Sequence, residues 1–314
     1  MMKKSILIII LLAITTVSFV KAAGVDTNAI PYDSLKNFVG DQPQQYIGQE
    51  LYVKGLPDNT QELGYSGFVL DYKKDDVILN DKKNVYQVGD GYNSIYDALV
   101  GKYFKVVDVI PHPLAKENIA EYGHYFYLRL KSQTDKNDIY YRYDSRNGYS
   151  FPFIVIGFYD KHRALLFGKE FIFTENALNG VEDLKTGKPI KNTSVQKWKC
   201  FRMSIDPEKY QLSLVMQNSR GERILIPYDL VDPLNKDGRK AYTVEEADTY
   251  RKKFGKNNFD RVLENMVRTG MTKEMCRLSW GEPTQITKEA NNTEIWDYPA
   301  GLLTFKGDKL TQTK

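Results

Sequence analysis

A mainly β chain, built of tandem small antiparallel β-modules and closed by a C-terminal α+β domain, is what three observations predict. Apolar and aromatic runs of strand length, separated by Gly, Asn, Asp and Lys turns, fill the span from Tyr46 to Asp229. Two amphipathic helical patterns then begin, each closed by a glycine. Three or four further strand candidates complete the chain.

The amino terminus reads MMKKSILIIILLAITTVSFVKAAG. Two lysines, an apolar run from Ile6 to Val20 and small side chains at Val20 and Ala22 form the layout of a bacterial secretory signal peptide, with cleavage expected after Ala22. The run is shorter than the ~20 residues a spanning helix needs. Residues 1–22 are therefore read as a leader, and no integral membrane span is expected after its removal. A lipoprotein leader needs a cysteine at the cut, and the first cysteine is Cys200, so no lipid anchor is expected.

The leader carries Lys3, Lys4 and Lys21, so the totals of 44 basic and 40 acidic residues become 41 and 40 in the mature chain. That near-neutral balance gives no electrostatic case for binding nucleic acid. Cys200 and Cys276 fall in different segments of the chain. Two buried free thiols are expected rather than one bridge.

Residues 23–236 read as two or three small β-modules. QELYVKGLP, GFVLDY, DVILN, KYFKVVDVIP, YFYLRL, DIYYRYD, FIVIGFYD, EFIFTE, YQLSLVM and RILIPYD are strand-length segments rich in β-branched and aromatic residues. Asn218-Ser-Arg-Gly221 is a hairpin turn signal. No helical period persists here, so the region is read as all-β. An internal echo accompanies it: Gly48-Gln-Glu-Leu-Tyr-Val, Gly101-Lys-Tyr-Phe-Lys-Val and Gly168-Lys-Glu-Phe-Ile-Phe match in pattern, and two later hairpins end in Tyr143-Asp144 and Tyr228-Asp229.

A cluster of Pro, Gly and charge from Asp232 to Gly238 marks a boundary, and residues 241–314 read as a separate α+β domain. Thr243-Val-Glu-Glu246 is a capping box opening a helix that Gly255 stops. Phe259, Val262, Leu263, Met266 and Val267 lie on one stripe of a second helix ending at Gly270. Thr272 is placed to cap a short third helix with Met275 and Leu278 inward, which Gly281 and Pro283 end. Strands are expected at Thr284–Lys288, Thr293–Tyr298 and Leu302–Lys306, with a further one at Lys309–Thr313.

Gly270-Met271-Thr272-Lys273-Glu274, Gly281-Glu282-Pro283, Trp296-Asp297-Tyr298, Leu303-Thr304-Phe305 and Lys309-Leu310 together resemble the SmpA/OmlA (BamE-like) family over the last quarter of the chain. The resemblance implies a compact helix-helix-three-strand unit, related to the halves of the β-lactamase inhibitor protein. It also implies a non-enzymatic domain used for docking in the cell envelope. Members of that family are lipid-anchored and little larger than the domain, whereas this chain has no lipid-bearing cysteine in its leader and a large β-region in front.

No reaction is announced by a motif. His112, His124 and His162 are too few and too scattered for a zinc site. Gly64-Tyr-Ser-Gly67 lacks the spacing of a nucleophile elbow, and there is no P-loop, dinucleotide fingerprint or calcium loop. No cofactor is expected. The one oddity is tyrosine density: Tyr125 and Tyr127 share a face of one strand, as do Tyr141 and Tyr143 of the next. An exposed row of these rings would stack on sugar faces; the competing reading is that they cover a small core. The expectation is thus an exported, non-catalytic protein of the periplasm or cell surface of a Gram-negative bacterium, binding envelope proteins. The alternative is a glycan- or peptidoglycan-binding module, and the third reading is a hydrolase with an unrecognised site.

Overall fold

The computed structural model describes residues 30–75, 81–89, 91–133, 136–193, 195–232 and 239–314. The leader, the DVILN segment and most of the predicted boundary cluster lie outside the described residues. Three antiparallel sheets, each with its own apolar core, organise the rest.

The first sheet contains β1 (Glu50–Val53), β2 (Phe68–Val69), β3 (Tyr103–Pro111), β4 (Tyr125–Ser132), β5 (Ile139–Asp144) and β6 (Phe153–Val155), in the order β2-β5-β4-β3-β1-β6. Single helical turns, α1 (Tyr96–Leu99) and α2 (Ile119–Tyr122), sit in its connections. The alternation read from sequence is visible in β5, where Ile139, Tyr141 and Tyr143 are buried and the residues between them are not. Helix α3 (Ile156–Leu166) follows β6 without an intervening residue. The sequence reading had this stretch as strand, and the structure corrects it. Closing strand β6 pairs only with β1, so pairing ends at Val155 and the chain turns helical although its apolar run continues.

The second sheet contains β7 (Glu170–Phe173), β8 (Lys197–Ile205), β9 (Leu212–Asn218), β10 (Arg223–Pro227) and β11 (Ala241–Thr243), in the order β10-β9-β8-β7-β11. Apart from β2, this is the first sheet again. Glu50↔Lys105 and Leu51↔Phe104 in one correspond to Glu170↔Lys199 and Phe171↔Trp198 in the other. The long second strand is bulged at the same place in both, between Val106 and Asp108 and between Cys200 and Arg202. Gly48 (φ 84°) and Gly168 (φ 79°) open the two units in the left-handed region that glycine enters without a Cβ penalty. Gly101, third member of the sequence echo, precedes β3 inside the first unit. The register thus resolves two β-units, not three.

In the second unit α4 (Val244–Phe254) follows β11 directly, as α3 follows β6. The capping box forms as expected: the Thr243 hydroxyl accepts from the Glu246 amide, and the Glu246 carboxylate accepts from the Thr243 amide. Ala241, the predicted first residue of the last domain, belongs to this sheet. β7 and β11 form a wall between two cores, with Phe171, Phe173 and Ala241 facing the second and Ile172 and Tyr242 facing the third.

The last domain adds α5 (Lys256–Leu263), α6 (Lys273–Trp280) and a meander of β12 (Gln285–Glu289), β13 (Thr293–Tyr298), β14 (Gly301–Lys306) and β15 (Lys309–Thr313). Helix α5 stops at Leu263, earlier than its stripe predicts, because Asn265 takes φ 57° and ends it. Met266 is consequently exposed. Thr272 caps α6 by accepting from the Met275 amide, and Gly281 (φ 83°) closes it. Four strands cross the domain, the further one at Lys309–Thr313 included, one more than the three-strand unit that the resemblance implies. Among the described residues, no helix is long and apolar enough to cross a membrane.

Candidate interaction surface

The residues that carry the family resemblance hold the last domain together. Met271, Trp296, Tyr298 and Phe305 lie in its core, with the Trp296 and Phe305 rings 4.6 Å apart. The Tyr298 hydroxyl donates to the Gly281 carbonyl, and the Gly270 amide donates to the Leu310 carbonyl. Pro283 carries the chain out of α6 toward β12. These positions build a scaffold and leave little of themselves on its surface.

The tyrosines do not form one exposed row. Register pairs Leu128 with Tyr141 and Tyr127 with Arg142, so the two tyrosine pairs point to opposite faces of the first sheet. Tyr141 and Tyr143 enter the core, their hydroxyls donating to the Ser150 and Gly40 carbonyls. Burial pushes both phenols well above the usual range. Tyr127 is fully buried on the other face, donating to the Asp75 carboxylate at 2.7 Å. Only Tyr125 remains half-exposed, its ring tilted by 37° against that of His124 at 4.1 Å. A sugar-stacking platform needs accessible ring faces, and three of these four rings have none.

The histidines have structural places. His112 is buried, stacked on Tyr122 at 4.6 Å, with its Nδ1 accepting from the Leu114 amide. His162 lies in α3, between the Tyr228 hydroxyl at 3.0 Å and the Leu35 carbonyl. Among the described residues no group of three or more His, Cys, Asp and Glu is placed to hold a metal ion. Cys200 and Cys276 are unbridged and buried in different cores.

The outer face of the second sheet is where unsatisfied chemistry collects. Cross-strand register lines up Glu170, Lys199, Gln217 and Arg223 across four strands. The bulge after Cys200 inserts Phe201 beside Arg202, and both point outward. The Arg223 guanidinium lies 4.8 Å over the Phe201 ring and donates from Nε to the Gln217 amide oxygen. Phe201 is still 49 % exposed, and Phe167, Val195 and Leu184 around it are 69 %, 67 % and 56 % exposed. Two adjoining concavities of about 540 and 740 Å³ meet at Phe201 and Gln217 and open to solvent.

Charge on this face is mostly positive, with Glu170 at one end of the row as its acid. Lys185, Lys197, Lys199, Arg202 and Arg223 surround the apolar side chains, and none is ion-paired among the described residues. No local pattern announces this cluster, since its members lie up to tens of residues apart and become neighbours only through register. Scans against protein-family models, curated proteins and solved structures find no match to the chain.

Proposed function

We propose that this chain is an exported, non-catalytic protein of the bacterial cell envelope that works by binding another protein. Export rests on the leader-like sequence at residues 1–22. The observation that carries the binding reading is the open face of the second sheet. An exposed aromatic with arginine stacked on it, set in a concavity and ringed by cations, has the composition of an interface centre rather than of ordinary surface. The C-terminal domain, similar in its motif residues to the SmpA/OmlA family, is in this reading the scaffold that closes the second unit, because Ile172 and Tyr242 join its core.

Chemical crosslinking in the native envelope tests the proposal with three full-length chains: wild type, Phe201→Glu on the second sheet, and Leu302→Glu on the exposed face of the last sheet. Specific protein partners that persist with Leu302→Glu and vanish with Phe201→Glu support it. Partners lost only with Leu302→Glu move the contact to the C-terminal domain. Recovery of cell-wall glycan without protein overturns it.

A further inference from the structure

The duplicated β-unit allows one copy to be read against the other, position by position. In the first unit, the face equivalent to the open one carries Asp108 where the second carries Arg202, and Asp138 where the second carries Arg223. Those two aspartates neutralise the cations beside them. Arg129 lies 3.5 Å from Asp108 and 3.6 Å from Asp138, and Lys131 lies 3.9 Å from Asp138. In the second unit both of these positions are arginines, and the Arg129 position is the apolar Val215. The same frame is self-neutralised in one copy and left with unpaired positive charge and exposed apolar surface in the other.

The first unit also shows what such a face accepts. Its own segment Tyr72–Asp75 lies across the far end of the sheet, with the Tyr72 ring on Tyr127 and Tyr140 at 5.5 and 5.0 Å. The Asp75 carboxylate meets Arg142 at 3.0 Å and takes the Tyr127 hydroxyl. A short helical turn bearing one ring and one carboxylate, with Lys73 and Lys74 between them, is thus an occupant this architecture already binds in cis.

We propose that the open face of the second unit binds a short acidic segment of a partner protein. Its carboxylates meet Arg202 and Arg223, and an aromatic or aliphatic side chain packs against Phe201. This rests on the protein-binding reading above and names the chemistry of the partner. Charge complementarity selects an acidic occupant, and the concavity favours a peptide over a flat anionic membrane surface.

A displayed library of random dodecapeptides, selected against the full-length mature chain, tests this directly. The expected result is enrichment of sequences combining Asp or Glu with an aromatic or aliphatic residue. Synthetic copies should bind wild type at least ten-fold more tightly than Arg202→Asp/Arg223→Asp, and more weakly as salt rises. Both substitutions are at exposed positions, and matching urea transitions verify that the variant is folded. Three results overturn the proposal: no enrichment, enrichment without acidic bias, or equal binding by the double variant. Charge-dependent binding to vesicles containing phosphatidylglycerol, with no peptide selected, replaces it with a lipid surface. If no peptide is selected while Phe201-dependent protein crosslinks persist, the acidic-segment proposal falls and the protein-binding reading stands.

Discussion

Gly55 and Tyr210 join the two β-units through their backbones. The Gly55 amide donates to the Tyr210 carbonyl at 3.0 Å, and a Cβ on Gly55 would lie 2.0 Å from the neighbouring Lys209 carbonyl oxygen. Tyr210 itself sits at φ 53°, with its ring against Gly101. The contact works because one side offers no side chain. Gly55→Ala is expected to force the units apart and destabilise the chain by about 1–3 kcal/mol, seen as a lower urea midpoint. An unchanged midpoint would show that the loop carrying Lys209 yields freely.

Asp75 is a buried acid with a defined purpose. Its side chain is 3 % exposed and that of its partner Arg142 13 %. Removing the acid leaves a guanidinium in a site built for a pair, a loss on the order of 3 kcal/mol. Asp75→Asn should approach that loss, because the amide keeps an oxygen for Tyr127 but not the charge. Chemical denaturation of the variant measures it, and a loss below about 1 kcal/mol would place the pair effectively in water.

Both thiols should be inert in the native protein. Burial pushes the Cys200 thiol up to about 11, and burial reinforced by Asp308 pushes Cys276 up to about 12. The thiolate is the reactive form, so iodoacetamide at about pH 8 is expected to label neither residue until denaturant is added. Mass spectrometry reads the result, and rapid native labelling of either cysteine contradicts its placement in a core.

His162 makes stability fall on the acid side. Burial holds its imidazole below the ordinary value of 6.5; the Leu35 carbonyl and Asp232 oppose the shift, and Lys161 adds to it. As pH falls, the unfolded chain therefore takes up this proton before the folded one does. The contribution is fully present above 6.5 and drains away as pH drops toward the lower folded value. Melting temperatures between about pH 7.5 and about pH 5.5 should decline less for His162→Gln than for wild type. Parallel curves would assign the decline to other groups.

Strands whose pattern and limits are both local were legible in the sequence. Thr293–Tyr298 alternates, is bounded by Asn291-Asn292 and Pro299-Ala300-Gly301, and forms over the residues expected. Helix α3 was not legible, because Phe153-Ile-Val-Ile156 reads as uninterrupted strand and only the short pairing of β6 with β1 ends it. The end of α5 was missed for the converse reason: Met266 and Val267 keep the apolar period, and one left-handed asparagine overrides it. Period-two alternation placed Tyr141 and Tyr143 on one face but could not say that this face meets the core. The basic face was invisible for a related reason. Lys199, Gln217 and Arg223 are neighbours through pairing, and pairing is not written in any one segment.

The bulge that recurs in β3 and β8 gives each sheet one position that stands outside its ladder. A residue there is paired to nothing across the strand, so its identity is uncoupled from the register that folds the unit. Val107 occupies it in one copy and Phe201 in the other. The repeated frame thus holds a spare position, at which the side chain on the surface can change while the frame beneath goes on folding as before.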